Sequence, residues 1–120
     1  MRRPFRSQAD ALGRAKKVER DGHKFDSKIE AARYGELSLL AKAGKISAIK
    51  VHPRFDLHAA GGKMVGTYVA DFQYVKLGGE WVVEDVKPVG FMTPLSRWKI
   101  RHFEAEYGQQ YRMVIHERKI

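Results

Sequence analysis

The chain has no cysteine. Disulfides, thiolate metal ligands and a cysteine nucleophile are excluded, and an intracellular home is allowed. Proline is scarce, with four residues in 120, and tryptophan more so, with two. No apolar run approaches the roughly 20 residues of a membrane-spanning helix, so no membrane partner is expected. The basic N-terminus lacks the apolar core of a secretory leader. There is no internal repeat and no low-complexity segment. Negative charge is in the minority: 14 Asp and Glu stand against 23 Lys and Arg, for a net charge of +9. Such a surplus is the electrostatic footprint of a nucleic-acid partner, with a basic protein of no such role as the plain alternative. The length suits one domain with a real core.

The positive charge is uneven. The first 24 residues hold eight Lys and Arg against three acidic residues, a net +5. Residues 1–16, with Arg2, Arg3 and Arg6, read as a basic arm, either laid along phosphates or simply solvated, and residues 17–120 as the single domain. Within the arm, Ala9 to Leu12 has the makings of a short helical turn. Asp21-Gly22 reads as the turn of a small hairpin. Ser27 with Glu30 three residues on is a capping-box pattern, and it opens a helix through Ile29, Ala32, Leu37, Leu40 and Ala43 to Gly44. Glu30 therefore has a modest role available, capping its own helix. Glu36 reads as a surface residue. Strands follow over Lys45–His52 and Arg54–His58, interrupted by Pro53. His52 and His58 lack metal-type spacing to another histidine and read as structural or surface residues. Thr93-Pro94 is a strong helix start, and Leu95, Trp98, His102, Phe103 and Tyr107 carry the helix to Gly108. Trp98 and Phe103 are expected in the core. Arg97 and Arg101 share a face and, with Lys99, are expected to form a basic surface. Tyr111–Ile115 reads as a last strand and Glu117–Ile120 as a charged tail.

The most informative stretch is Thr67–Lys87. Two runs rich in Val, Tyr, Phe and Trp flank Lys76-Leu77-Gly78-Gly79-Glu80, which reads as a β-hairpin. The first of its strands is expected to run from Lys63 to Val75. Asp71, Asp85 and Lys87 interrupt this apolar company at a cost unless something pairs with them. A pairing centred on Gly78 sets Asp71 opposite Asp85, with side chains on one face roughly 4.5–5.5 Å apart at Cβ. Lys87, two residues on, shares that face, and Glu84 points the other way. A strict two-residue Gly78-Gly79 turn would instead oppose Asp71 to Val86. In the first register two carboxylates repel unless a cation lies between them, and Mg²⁺ prefers such oxygen ligands. Strand-borne carboxylates, a helical Glu, a nearby Lys and a basic flank suit phosphodiester hydrolysis.

Ala70-Asp71, a gap, then Asp85-Val86-Lys87 resembles the PD-(D/E)xK signature of restriction-endonuclease-like nucleases. The Ser27–Ala31 helix start is similar to the family's acidic helix, and Thr93–Phe103 to the basic helix after the motif. The runs Asp21–Ala31, Pro53-Arg-Phe55, Val69–Phe72 and Val83–Lys87 look like a small phage and prophage group of uncharacterised nucleases in that superfamily. The likeness covers roughly residues 16 to 115, with Ala70 where the signature has Pro and Pro88 where a Gly often follows. It implies an α/β fold with a restriction-endonuclease-like core: a mixed central β-sheet flanked by α-helices in the order α-β-β-β-α-β. It implies Asp71, Asp85 and Lys87 as catalytic residues, joined by Glu30, with Asp71, Asp85 and Glu30 holding Mg²⁺ or Mn²⁺. Arg97, Lys99, Arg101, Arg2, Arg3 and Arg6 would bind DNA. The implied activity is a metal-dependent, structure-selective DNA endonuclease, such as a Holliday-junction resolvase or related phage recombination nuclease. It would act as a homodimer on branched DNA, in the cytoplasm of a bacterial cell or phage-infected host. The alternatives are a sequence-tolerant nicking endonuclease, a non-catalytic nucleic-acid-binding module and a structural phage protein with a basic face.

Overall fold

The protein was examined as a computed structural model, which describes residues 17–119. The basic arm, with Arg2, Arg3, Arg6 and the expected turn at Ala9–Leu12, lies outside the described residues. The chain enters through strands β1 (Val18–Arg20) and β2 (His23–Phe25). They are joined as expected by Asp21 and Gly22, both at positive φ (50° and 80°). Helix α1 (Lys28–Lys42) follows, with Ser27 in extended conformation and its hydroxyl accepting the Glu30 N–H. Its buried side is Glu30, Ala31 and Leu37, while Leu40 is exposed.

Strands β3 (Ile46–Val51), β4 (Arg54–His58), β5 (Met64–Val69), β6 (Phe72–Lys76) and β7 (Trp81–Pro88) come next, then helix α2 (Pro94–Tyr107) and strand β8 (Arg112–Arg118). Thr93 caps α2 by accepting the Ser96 N–H, with Pro94 in the first turn. The central sheet has the order β3-β6-β7-β8. Its first two pairs are antiparallel and β7–β8 is parallel, so the sheet is mixed and the molecule is of the α/β class. A parallel pair needs a crossover, and α2 supplies it. Parallel pairing extends to Pro88 opposite Arg118, so Glu117 and Arg118 belong to a strand rather than to a charged tail.

The expected single strand from Lys63 to Val75 is divided. β5 pairs with β4 in a separate two-stranded sheet, and β6 pairs with β3 in the central one. The register is nevertheless continuous across the break, from Val51 opposite Phe72 to Arg54 opposite Val69. At the break the His52 N–H donates to the Asp71 carbonyl and the Ala70 N–H to the Pro53 carbonyl. The four strands are thus one long hairpin with an elbow at His52-Pro53 and Ala70-Asp71. Pro53 has no N–H to give a ladder, and His52 sits at φ 54°, which turns the chain out of the sheet.

Both faces of β7 are covered, and residues 82 to 86 are buried without a gap. Val82 and Val86 pack with Phe25, Leu37, Phe72 and Tyr74 on the α1 side. Val83 packs with Phe55, Tyr68, Ile100 and Phe103 on the α2 side. Phe103 is in the core as expected, whereas Trp98 is 46% exposed. Trp98 sits on the shoulder of α2, its ring over Gly66, where a Cβ would lie 3.8 Å away. No helix among the described residues is long and apolar enough to cross a membrane.

Candidate functional site

The β6–β7 hairpin closes over three residues. The Lys76 N–H donates to the Glu80 carbonyl at 2.8 Å, and Gly78 and Gly79 adopt φ of 108° and 100° between them. Of the two registers open to the sequence, the one centred on Gly78 forms: Phe72 is opposite Glu84 and Tyr74 opposite Val82. Asp71 lies one residue beyond the paired stretch, and its N–H donates to the Glu84 carbonyl at 3.2 Å. Asp71 is at the elbow, where β6 has ended, and its Oδ2 accepts the Val86 N–H at 2.7 Å. The side chain therefore serves a backbone donor that lies beyond the β6 ladder.

Alternation along β7 sends Asp85 and Lys87 to the α2 face, and Lys87 Nζ lies 3.2 Å from Asp85 Oδ2. Asp85 is 4% exposed and Glu30 5%. Burial pushes the Asp71 carboxyl up to about 9, helped by the charges of Asp85 and Glu30 and opposed by the Val86 N–H. The carboxyl groups of Asp71 and Asp85 are within hydrogen-bond reach of each other. Burial also raises Glu30, against the opposing hydrogen bond from His52. The Tyr68 hydroxyl on β5 donates to Met113 Sδ at 3.9 Å, and burial with the charges of Asp85 and Asp71 holds the phenol neutral. Glu30 comes from α1, Asp71 from the elbow, and Asp85 and Lys87 from β7, with Asp71 in electrostatic reach of Asp85 and Glu30.

Sequence reasoning did not select two further members. Asp26, Glu30 and His52 each offer a ligand atom within 4.8 Å of the others, and Asp71 and Asp85 are not part of that close group. His52 Nε2 meets Glu30 Oε1 at 2.5 Å. So the Glu30 carboxylate meets the Asp26–His52 pair and acts on Asp71 through its charge. Nothing in the spacing of His52 announces this, because the contact spans 22 residues and depends on the elbow.

Other charged residues fall elsewhere. Glu84 faces α1, where Arg33 binds both of its oxygens (2.7 and 2.9 Å) and the Tyr74 hydroxyl donates at 2.8 Å. That carboxylate is fully satisfied away from the cluster. Glu36 is at the surface, paired with Arg33 and Arg118. Arg97 and Arg101 are exposed, but Lys99 is half-buried, turned roughly 200° from Arg97 around the helix. The expected basic surface of α2 is therefore Arg97 and Arg101, with Lys99 on another flank. His58 makes a separate cluster, its N–H and Nδ1 both 2.7 Å from Glu106 and its carbonyl 2.9 Å from His102 Nε2.

Fold and site define a mixed α/β protein with buried carboxylates gathered at the elbow of a bent hairpin. Residues 12–120 match the family described as "Protein of unknown function (DUF1064)", and the chain belongs to that family. No curated protein and no solved structure matches it.

Proposed function

We propose that this protein is a divalent-metal-dependent DNA endonuclease with a restriction-endonuclease-like core, selective for DNA structure rather than sequence. The observation that carries the reading is Asp85 paired with Lys87, with Asp71 in electrostatic reach of both Asp85 and Glu30. Without a cation this cluster accommodates its charge only by keeping a proton on Asp71 well above the usual carboxylate range. Hard oxygen donors under mutual repulsion are what Mg²⁺ or Mn²⁺ would relieve, so the residues fit such an ion. Asp71, Asp85 and Glu30 would hold it, with Asp26 and His52 on the flank of Glu30. A bound divalent ion supplies Lewis-acid polarisation of a phosphate and a water of lowered pKa. Lys87 then stabilises charge developing on the phosphate. Arg97 and Arg101 hold the backbone of the nucleic acid in register. Among the described residues no separate base-reading domain is present, which favours branched DNA, and cutting two symmetric strands favours a homodimer.

The test is a cleavage assay on plasmid, linear duplex, single-stranded DNA and a four-way junction, with Mg²⁺, Mn²⁺ or EDTA. Metal-dependent cutting by the wild type, lost in Asp85→Ala with DNA binding retained, is expected. Equal cutting by the variant would sink the assignment. A second reading, a non-catalytic nucleic-acid-binding module, draws support from the Lys87–Asp85 and His52–Glu30 pairs, which partly satisfy the carboxylates without any ion. That reading requires DNA binding with no thermal stabilisation by either cation.

A further inference from the structure

A cleft of about 420 Å³ opens beside Lys87. Its size is within the roughly 300–1,000 Å³ of small-molecule sites. Phe91, Met92 and Ile115 give it an apolar lining, and Lys87, Arg97 and Glu117 bring charge. Phe91 is 55% exposed, so its ring is open to a ligand. The loop that carries it is braced: the Phe91 N–H donates to the Pro88 carbonyl at 3.0 Å, and Gly90 turns at φ 80°. Glu117 is engaged with the Gly90 N–H. Among the described residues Arg97 makes no ion pair, so its guanidinium is available to an anion. Lys87 links this cleft directly to Asp85.

An apolar slot with an open aromatic ring, two cations at hand and a buried carboxylate cluster next door calls for a ligand that is flat and apolar at one end and anionic at the other. A nucleotide has that form: a base to stack on a ring, and a phosphate one sugar away. We propose that this cleft receives an unpaired base of the nucleic acid, stacked on Phe91, with its phosphate held by Arg97. The inference rests on the reading that the protein handles nucleic acid, and it adds a reason for preferring interrupted duplexes. A paired base has both faces stacked and cannot enter. Base–aromatic stacking is sequence-tolerant, because every base has a π-face.

Fluorescence anisotropy in EDTA tests this on two labelled oligonucleotides, a fully paired duplex and the same duplex with one unpaired nucleotide. The wild type should prefer the second. Phe91→Ala should lose roughly 5- to 150-fold in affinity for it, with little change on the paired duplex. Phe91→Tyr should keep the preference, and Arg97→Gln should weaken the interrupted duplex more than the paired one. Equal wild-type affinities, or a Phe91→Ala loss that is the same on both, overturns the proposal. It fails too if Phe91→Ala converts a dimer to a monomer in sedimentation without altering the preference, since a second copy would then fill the cleft. With no divalent ion present the outcome is independent of cutting. Selective binding by a protein that cleaves nothing would end the nuclease reading and leave the base site standing.

Discussion

Asp71 is where the fold's electrostatic tension is concentrated. An ordinary aspartate loses its proton near 3.8, but this one is pushed up to about 9 by burial and by Asp85 and Glu30. Between those values the folded protein keeps a proton that the unfolded chain has released. Stability supplied by that proton is present in full below about pH 4 and falls as pH rises towards 9. The metal-free protein should therefore melt at a lower temperature at pH 8.5 than at pH 5.5, and saturating Mn²⁺ should flatten the difference. Asp71→Asn should raise apo stability at pH 8 by about 1–2 kcal/mol in urea titrations and abolish stabilisation by the ion. A wild-type midpoint unmoved over this range would mean that the carboxyl is ionised throughout. Glu84 presents the contrasting case of a carboxylate with every partner in place. Arg33→Ala would leave it buried and unpaired, at a cost of about 3–5 kcal/mol, with unchanged cleavage per folded molecule. Alternation alone separated Glu84 from Asp85 in the sequence. Asp26 and His52 had no such signal, because their meeting with Glu30 is made by tertiary structure.

At the scale of elements, capping and turn chemistry were legible while the elbow was not. Ser27, Thr93-Pro94 and Asp21-Gly22 announced their helix starts and hairpin, because these signals act within a few residues. Thr93→Ala should accordingly cost about 1 kcal/mol, seen as a lower urea midpoint with the fold retained. The split of the Lys63–Val75 strand is not local. Nothing between Val69 and Phe72 forbids a straight strand, and the bend comes from Pro53 and the left-handed His52 on the facing strand. The β6–β7 turn is a sharper device, since its length decides what Asp71 faces. Deleting Gly79 should slip the register by one residue and take Asp85 off the Asp71 face. The expected result is loss of any Mn²⁺-induced rise in melting temperature.

For the whole molecule, charge is the legible quantity. If the protein binds DNA as proposed, Lys and Arg meeting phosphates would make that association steeply dependent on salt. A plot of log affinity against log salt should be linear, and Arg101→Gln should reduce its slope by about 0.9 if that residue meets a phosphate. A uniform loss with the slope unchanged would remove Arg101 from the phosphate-contacting set.

The parallel pairing of β7 with β8 has a consequence in time. Glu30, His52, Asp71, Asp85 and Lys87 have all been made once synthesis passes residue 87. At that moment β7 has an open edge and a bare face, because α2 has not crossed over and β8 does not exist. A nascent chain therefore carries every reactive group of the cluster before it has the scaffold that aims them, and non-local closure of this kind is the slow part of folding. The cluster therefore takes its final geometry only after the ribosome has finished β8.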